Sequence, residues 1–273
     1  MRVAALQMVS TPDLHRNLDS AEALLRQAAD GGAALAVLPE YFCLMGHRDT
    51  DKLSMAERPG DGPVQRRLAG LASELRMWIV GGTLPLEVAG SPGRVTNSCL
   101  TFSPDGQCCA RYDKVHLFAF DNGRERYDES RILRAGDEAV GLTLEAAGRA
   151  WNLGFSVCYD LRFPELYRRL GQLEGGCDVV CVPSAFTHTT GQAHWELLLR
   201  ARAIENQCFV IAAAQGGLHE NGRATWGHSM VIDPWGLVLA QCPQGEAVVL
   251  ADLDHGRLEQ VRKQLPALQH RVW

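Results

Sequence analysis

Short apolar runs of strand length alternate with helix-spaced segments at both ends of this chain. This alternation constrains the fold more than any other feature. A strand that returns to a sheet through a helix enters parallel to its neighbour, so the pattern predicts an α/β protein with a partly parallel sheet. The opening third reads β-α-β-α-β. Residues 1–8 form a first strand, and 35–38 and 77–80 are further apolar runs. Between the first two lies a helix with Thr11 as predicted N-cap, Pro12 at the first helical position and Gly31-Gly32 as its close. Leu14, Leu18, Ala21, Leu25 and Ala28 recur at helical spacing. A second helix is predicted over 63–75, with Val64, Leu68, Leu71 and Leu75 inward.

The middle of the chain breaks this rhythm. Runs at 97–102 and 107–112 flank Ser103-Pro104-Asp105-Gly106, a hairpin signal. Residues 115–134 mix charge, aromatics and a glycine and read as a long loop, a feature that compact domains usually keep for function. The rhythm then returns: a strand at 151–157, a helix over 164–170, a strand at 179–182, a helix over 195–206 and a strand at 208–214. A second hairpin, 230–232 and 237–240, surrounds Asp233-Pro234-Trp235-Gly236, and a strand at 248–253 precedes a helix over 258–265. No segment has the composition of a flexible linker. Two related α/β halves in one domain is the expected organisation.

Composition narrows the function. At 46% hydrophobic the chain can build a sizeable core, and its net charge of −5 gives no basic surface for nucleic acid. No run of about 18 apolar residues predicts a membrane span. The first residues are too short and polar-flanked for a signal peptide. Nine scattered cysteines argue against a disulfide framework and for a reducing cytoplasm. Cys108-Cys109 are adjacent, and Cys177 and Cys181 flank three residues, but paired C-x-x-C sets are missing, so a metal site is not expected.

The chemistry centres on Cys158. It ends an apolar run, and a turn and helix follow, which puts a thiol at the carboxyl end of a strand, where open α/β sheets hold their ligands. Glu40 ends the run Leu35-Ala36-Val37-Leu38-Pro39. It reads either as a surface glutamate opening a loop or as a partly desolvated base. Lys114, at the exit of a hairpin strand, reads either as a partner of Asp113 or as a cation for an oxyanion or thiolate. Glu129 on its own is an ordinary loop charge. His116 is the rival base for a cysteine–histidine pair.

With these residues in place, the sequence resembles the carbon–nitrogen hydrolase (nitrilase) superfamily. The matching segments are Leu38-Pro39-Glu40, Tyr112-Asp113-Lys114-Val115-His116-Leu117 and Val157-Cys158-Tyr159-Asp160-Leu161-Arg162-Phe163-Pro164-Glu165. The resemblance spans essentially the whole chain, and the central loop fits it less closely. It implies a four-layer α-β-β-α sandwich, a single domain over 1–273, and covalent amide hydrolysis without metal or organic cofactor. Cys158 would be the nucleophile, Glu40 the base, Lys114 and the backbone N–H of Tyr159 the oxyanion donors, and Glu129 a supporting carboxylate. It also implies a homodimer or higher homo-oligomer. Pro183-Ser184-Ala185-Phe186, the helix that follows, Ala212-Ala213-Ala214-Gln215 and the segment 227–236 are similar to the deaminated-glutathione amidase branch. Its substrate carries a 2-oxo acid, for which Arg162 is the expected clamp and Thr187 a hydroxyl contact, unless Arg162 pairs with Glu165 or a backbone carbonyl. Trp195 and Phe186 are expected in the core. The neighbouring ω-amidase branch shares much of this segment. A nitrile hydrolase and a catalytically silent binding homologue are the remaining readings.

Overall fold

A computed structural model describes residues 1–272 of the chain. Its strands are β1 (Arg2–Gln7), β2 (Leu35–Val37), β3 (Trp78–Val80), β4 (Leu84–Glu87), β5 (Val95–Phe102), β6 (Cys108–Asp113), β7 (Ala119–Asp121) and β8 (Arg126–Asp128). They continue with β9 (Gly141–Ala146), β10 (Arg149–Phe155), β11 (Val179–Ser184), β12 (Phe209–Ala214), β13 (Ser229–Ile232), β14 (Val238–Cys242) and β15 (Ala247–Asp252). The helices are α1 (Leu14–Asp30), α2 (Asp51–Ser54), α3 (Pro63–Leu75), α4 (Pro164–Leu170), α5 (His188–Asn206) and α6 (His255–Gln264).

The helix over 63–75 begins and ends where the sequence placed it. Its first turn is capped from outside: the Glu57 carboxylate accepts from the N–H groups of Val64 and Gln65, at 2.6 and 3.2 Å. α1 starts two residues later than expected. Asp13, rather than Thr11, is its cap, because the Asp13 carboxylate accepts from His15 and Arg16 N–H at 2.8 and 3.1 Å. Thr11 instead donates its N–H to Asn17.

Two sheets stack face to face. The first runs β15-β1-β2-β3-β5-β4, with β6 on β5, and the second β14-β13-β12-β11-β10-β9. Strand alternation produces the layers. Val3, Ala5, Leu35 and Val37 point toward the second sheet, while Ala4, Leu6, Ala36 and Leu38 pack under α1 and α3. The second sheet carries α4 and α5 outside, with Leu166, Leu170, Trp195 and Leu199 in its core. The fold is thus the expected four-layer α-β-β-α sandwich. β11 and β12 are buried at every position, as parallel strands covered on both faces must be.

The two halves are not separate units. β15, from the end of the chain, pairs antiparallel with β1 from Arg2↔Asp252 to Gln7↔Ala247 and so belongs to the first sheet. The expected long loop contains a small hairpin, β7–β8, and a 3-10 turn over Glu129–Arg131. Among the described residues, no helix is long and apolar enough to cross a membrane.

Candidate active site

Four strands bring the chemistry together. The chain leaves β2, β6, β10 and β11 at one edge of the sandwich and places Glu40, Lys114, Cys158 and Ala185 just beyond their ends. Glu40, Lys114 and Cys158 are all buried. Lys114 Nζ donates to Glu40 Oε1 at 2.9 Å and to Glu129 Oε2 at 2.8 Å. The open alternative for Lys114 is closed, since Asp113 pairs with Arg111 instead, at 2.9 Å.

Each carboxylate is fixed on its other lone pairs. Glu40 Oε1 also accepts from Asn97 Nδ2 at 2.8 Å, and Oε2 accepts from the Ala185 N–H at 2.9 Å. Glu129 accepts from Tyr41 Oη and the Phe118 N–H, both at 2.7 Å. Burial works against charge on both Lys114 and Glu129, but their attraction outweighs it. With Glu40 and Cys158 adding to the pull, the ammonium stays well above the usual lysine range, and Glu129 lies below the usual carboxylate range. For Cys158 burial and the charge of Glu40 push the thiol well up, against the opposing pull of Lys114. Burial and Glu40 thus favour the thiol over the thiolate.

Cys158 itself sits at φ +50°, in the left-handed region that a side chain seldom adopts. The turn that imposes this runs over Cys158–Arg162. Buried Asp160 organises it, accepting from Val157 N–H at 2.8 Å, Tyr112 Oη at 2.6 Å and His116 N–H at 2.9 Å. Among the described residues, the backbone N–H of Tyr159 meets no protein acceptor. His116 is committed elsewhere: Nδ1 lies 2.7 Å from Asp160, and its ring stacks on Phe163 with centroids 3.7 Å apart. That leaves the cysteine–histidine alternative without its histidine.

Phe118, Cys158, Tyr159, Arg162, Phe186 and Thr187 are among the residues lining a narrow cavity of ≈ 10 Å³. Phe186 was expected in the core. It is buried, yet it forms a wall of this cavity, and Arg162 lies 5.3 Å over its ring. Trp195 is core as expected. Among the described residues, Arg162 pairs neither with Glu165 nor with a carbonyl. Its Nη1 is 3.2 Å from His194 Nδ1, and His194 lies well inside α5. Thr187 caps α5: its Oγ1 accepts from the Thr190 N–H at 3.3 Å and is 2.9 Å from Thr190 Oγ1. A larger cleft between Arg58, Arg94, Arg111 and Asp137 shares no lining residue with this cavity.

Sequence reasoning missed Asn97, Tyr41 and Asp160. Each reaches its partner across 48 to 88 positions of chain, so no local pattern could reveal them. Only the Asp160 position carried a hint, since it lies two residues after the singled-out thiol.

Fold and cluster together define a hydrolase that works on carbon–nitrogen bonds, and the chain belongs to the carbon–nitrogen hydrolase family, which it matches over residues 2–263. It is 44% identical over 271 residues to a deaminated glutathione amidase of Synechocystis sp., covering 99% of this chain and 97% of that one. The solved structure of the Caenorhabditis elegans NitFhit protein superposes with a TM-score of 0.90 at 37% identity. That match covers 99% of this chain and 65% of the worm protein, so this chain spans about two thirds of its length. Saccharomyces cerevisiae Nit3, a member of branch 10 of the nitrilase superfamily, superposes at 0.87 with 28% identity, covering 100% of this chain and 97% of that one.

Proposed function

We propose that this protein hydrolyses the amide of deaminated glutathione to 2-oxoglutarate and cysteinylglycine, with Cys158 as nucleophile. The observation that carries the reading is the buried ammonium of Lys114, held by Glu40 and Glu129 beside the thiol. A fixed cation in a dry site stabilises developing negative charge without reorganisation.

The steps use only the chain's own groups and water. Glu40 takes the thiol proton as sulfur attacks the amide carbonyl. The oxyanion is held by Lys114 Nζ and the Tyr159 N–H. Glu40 returns the proton to the leaving nitrogen, the C–N bond breaks, and a thioester remains. Glu40 then deprotonates a water, which attacks the thioester, and the departing thiolate is reprotonated. Glu129 positions Lys114 through their 2.8 Å contact. Arg162 clamps the 2-oxo acid carboxylate, oriented by His194. Thr187 offers its hydroxyl proton when Thr190 donates to it.

Cys158→Ala is expected to fold and to release no product. In the native protein, brief substrate exposure is expected to add an acyl mass to Cys158 by mass spectrometry. Normal turnover by Cys158→Ala would end this mechanism. The narrowness of the cavity, ≈ 10 Å³ against the roughly 300–1,000 Å³ of most small-molecule sites, favours the smaller substrates of a second reading: an ω-amidase acting on 2-oxoglutaramate or 2-oxosuccinamate. Comparing kcat/KM for these amides with that for deaminated glutathione decides between them.

Two broader readings belong to the same proposal. The chain acts as a single domain in the cytoplasm, which its nine unpaired cysteines support. It also pairs with a second copy through α5. Leu197 and Ile204, on one face of that helix, are 71% and 47% exposed, and Leu237 beside Gly236, which packs on Ile204, is 60% exposed. Ile204→Glu should shift the native protein to monomer in size-exclusion chromatography with light scattering. An unchanged mass would remove α5 as the interface.

A further inference from the structure

Deaminated glutathione has two carboxylates, one on the acyl side of the scissile amide and one at the glycine end of the leaving dipeptide. Arg162 accounts for the first. The cavity over Cys158 is too narrow to enclose the whole molecule, so the leaving dipeptide must extend along its rim. At that rim Tyr127 packs on Phe118, with ring centroids 5.6 Å apart, and the guanidinium of Arg223 lies 5.0 Å over the Tyr127 ring. Placed end to end, these two spacings set an upper limit on how far Arg223 lies from the Phe118 wall, and that limit is close to what the leaving group spans. Two extended residues reach about 7 Å, and a carboxylate–guanidinium hydrogen bond adds about 3 Å.

Arg223 is available for that bond. Among the described residues, no carboxylate pairs with it within 4.0 Å. Lys52, by contrast, lies 4.7 Å over Tyr41 and is paired with Asp49 at 3.3 Å. Glu125, the neighbouring acid, bonds Thr189 Oγ1 at 2.7 Å instead. Arg223 is also near the catalytic cluster: burial and Glu129 push the Tyr41 hydroxyl well up, and Arg223 opposes them.

The loop that presents Arg223 is braced on both sides. Asn221 Oδ1 accepts from the Arg223 N–H at 2.9 Å, and Asn221 Nδ2 donates to Gly46 O at 2.7 Å. The His219 ring is held between Ser10 O and Thr225 Oγ1, both at 2.8 Å. Thr225 bridges to Thr187, itself a wall of the cavity. A braced, carboxylate-free arginine within about a dipeptide's reach of the cavity wall is a preorganised anion contact.

We infer that Arg223 binds the terminal carboxylate of the leaving dipeptide and so sets the preference for peptide-like amides over small ones. This rests on the deaminated glutathione reading above.

The test compares deaminated glutathione with its glycinamide form, which keeps the scissile bond and the 2-oxo acid but lacks the terminal carboxylate. The native protein should prefer the acid by about tenfold or more in kcat/KM, the effect of one charge-assisted hydrogen bond, and mostly through KM. In Arg223→Gln the ratio should fall toward one, and in Arg223→Lys it should be intermediate. A ratio that Arg223→Gln leaves unchanged overturns the inference. So does a native ratio near one, although cleavage of both forms would leave the Cys158 mechanism standing. A native protein that cleaves 2-oxoglutaramate but neither tripeptide form would show instead that the deaminated glutathione reading itself has failed.

Discussion

Lys114 keeps its charge in a place where burial alone would remove it, because two carboxylates each accept one of its three protons. Lys114→Ala should lower kcat by about a hundredfold or more, the usual value of one oxyanion donor. It should also destabilise the fold by about 3–5 kcal/mol, since Glu40 and Glu129 would stay buried without their partner. Turnover together with thermal melts checks both; a change in KM alone would argue against the oxyanion role. Glu129 provides the pH signature. Its folded pKa lies below the ordinary 4.5, so its stabilisation is complete above 4.5 and is lost as pH falls through the lowered folded value. Melting temperatures followed from pH 6 downward should drop below that point in the native protein and much less in Glu129→Gln. Equal slopes in the two would show that Glu129 is not the group responsible. At this scale the sequence exposed the charged actors but not their tethers. Cys158 was visible because it ends an apolar run, whereas Asn97 is one of several small polar residues, with Thr96, Ser98 and Thr101, in a strand that reads as ordinary β-structure.

α5 shows how packing can reverse a local rule. Gly191 lies inside the helix, where alanine would normally gain about 0.5–1 kcal/mol. Here a Cβ would meet the Trp226 side chain at 2.2 Å. Overpacking costs about 1–3 kcal/mol, so Gly191→Ala should be net destabilising in urea unfolding. A more stable variant would mean that Trp226 yields easily. The same segment explains a shortfall in the sequence reading. His188–His194 contains adjacent threonines and a glycine, poor helix formers, so the expected helix began at Trp195; the Thr187 cap and contact with Trp226 carry it seven residues further back. β4 escaped notice because Pro85 lies within it, and β9 because it is a short, half-exposed antiparallel partner of β10. The apolar runs of β11 and β12 were readily legible because both their faces are covered.

At the scale of the whole molecule, the last strand closes the first sheet. β15 pairs with all six residues of β1, whereas β2 pairs with only three. Ending the chain before Ala247 would expose a flat apolar edge, and such a variant should lose its near-ultraviolet circular dichroism and aggregate. A soluble, cooperatively folded truncation would show the two-half organisation to be more independent than β15 implies. The sequence could not reveal this closure, since nothing local in the strand at 248–253 says which sheet it joins.

Glu40 and Lys114 stand on one sheet, while Cys158 and the Ala185 N–H that Glu40 accepts stand on the other. On the proposed mechanism, catalysis therefore depends on the alignment of two slabs joined by apolar packing and by a few polar contacts such as those of Tyr112 with Asp160 and of Glu40 with Ala185. A slip of one slab over the other by a single side chain would disarm the enzyme before any helix melted. Inactivation on heating should accordingly track the slabs coming apart, and the catalyst should behave as a gauge of whether the sandwich is shut.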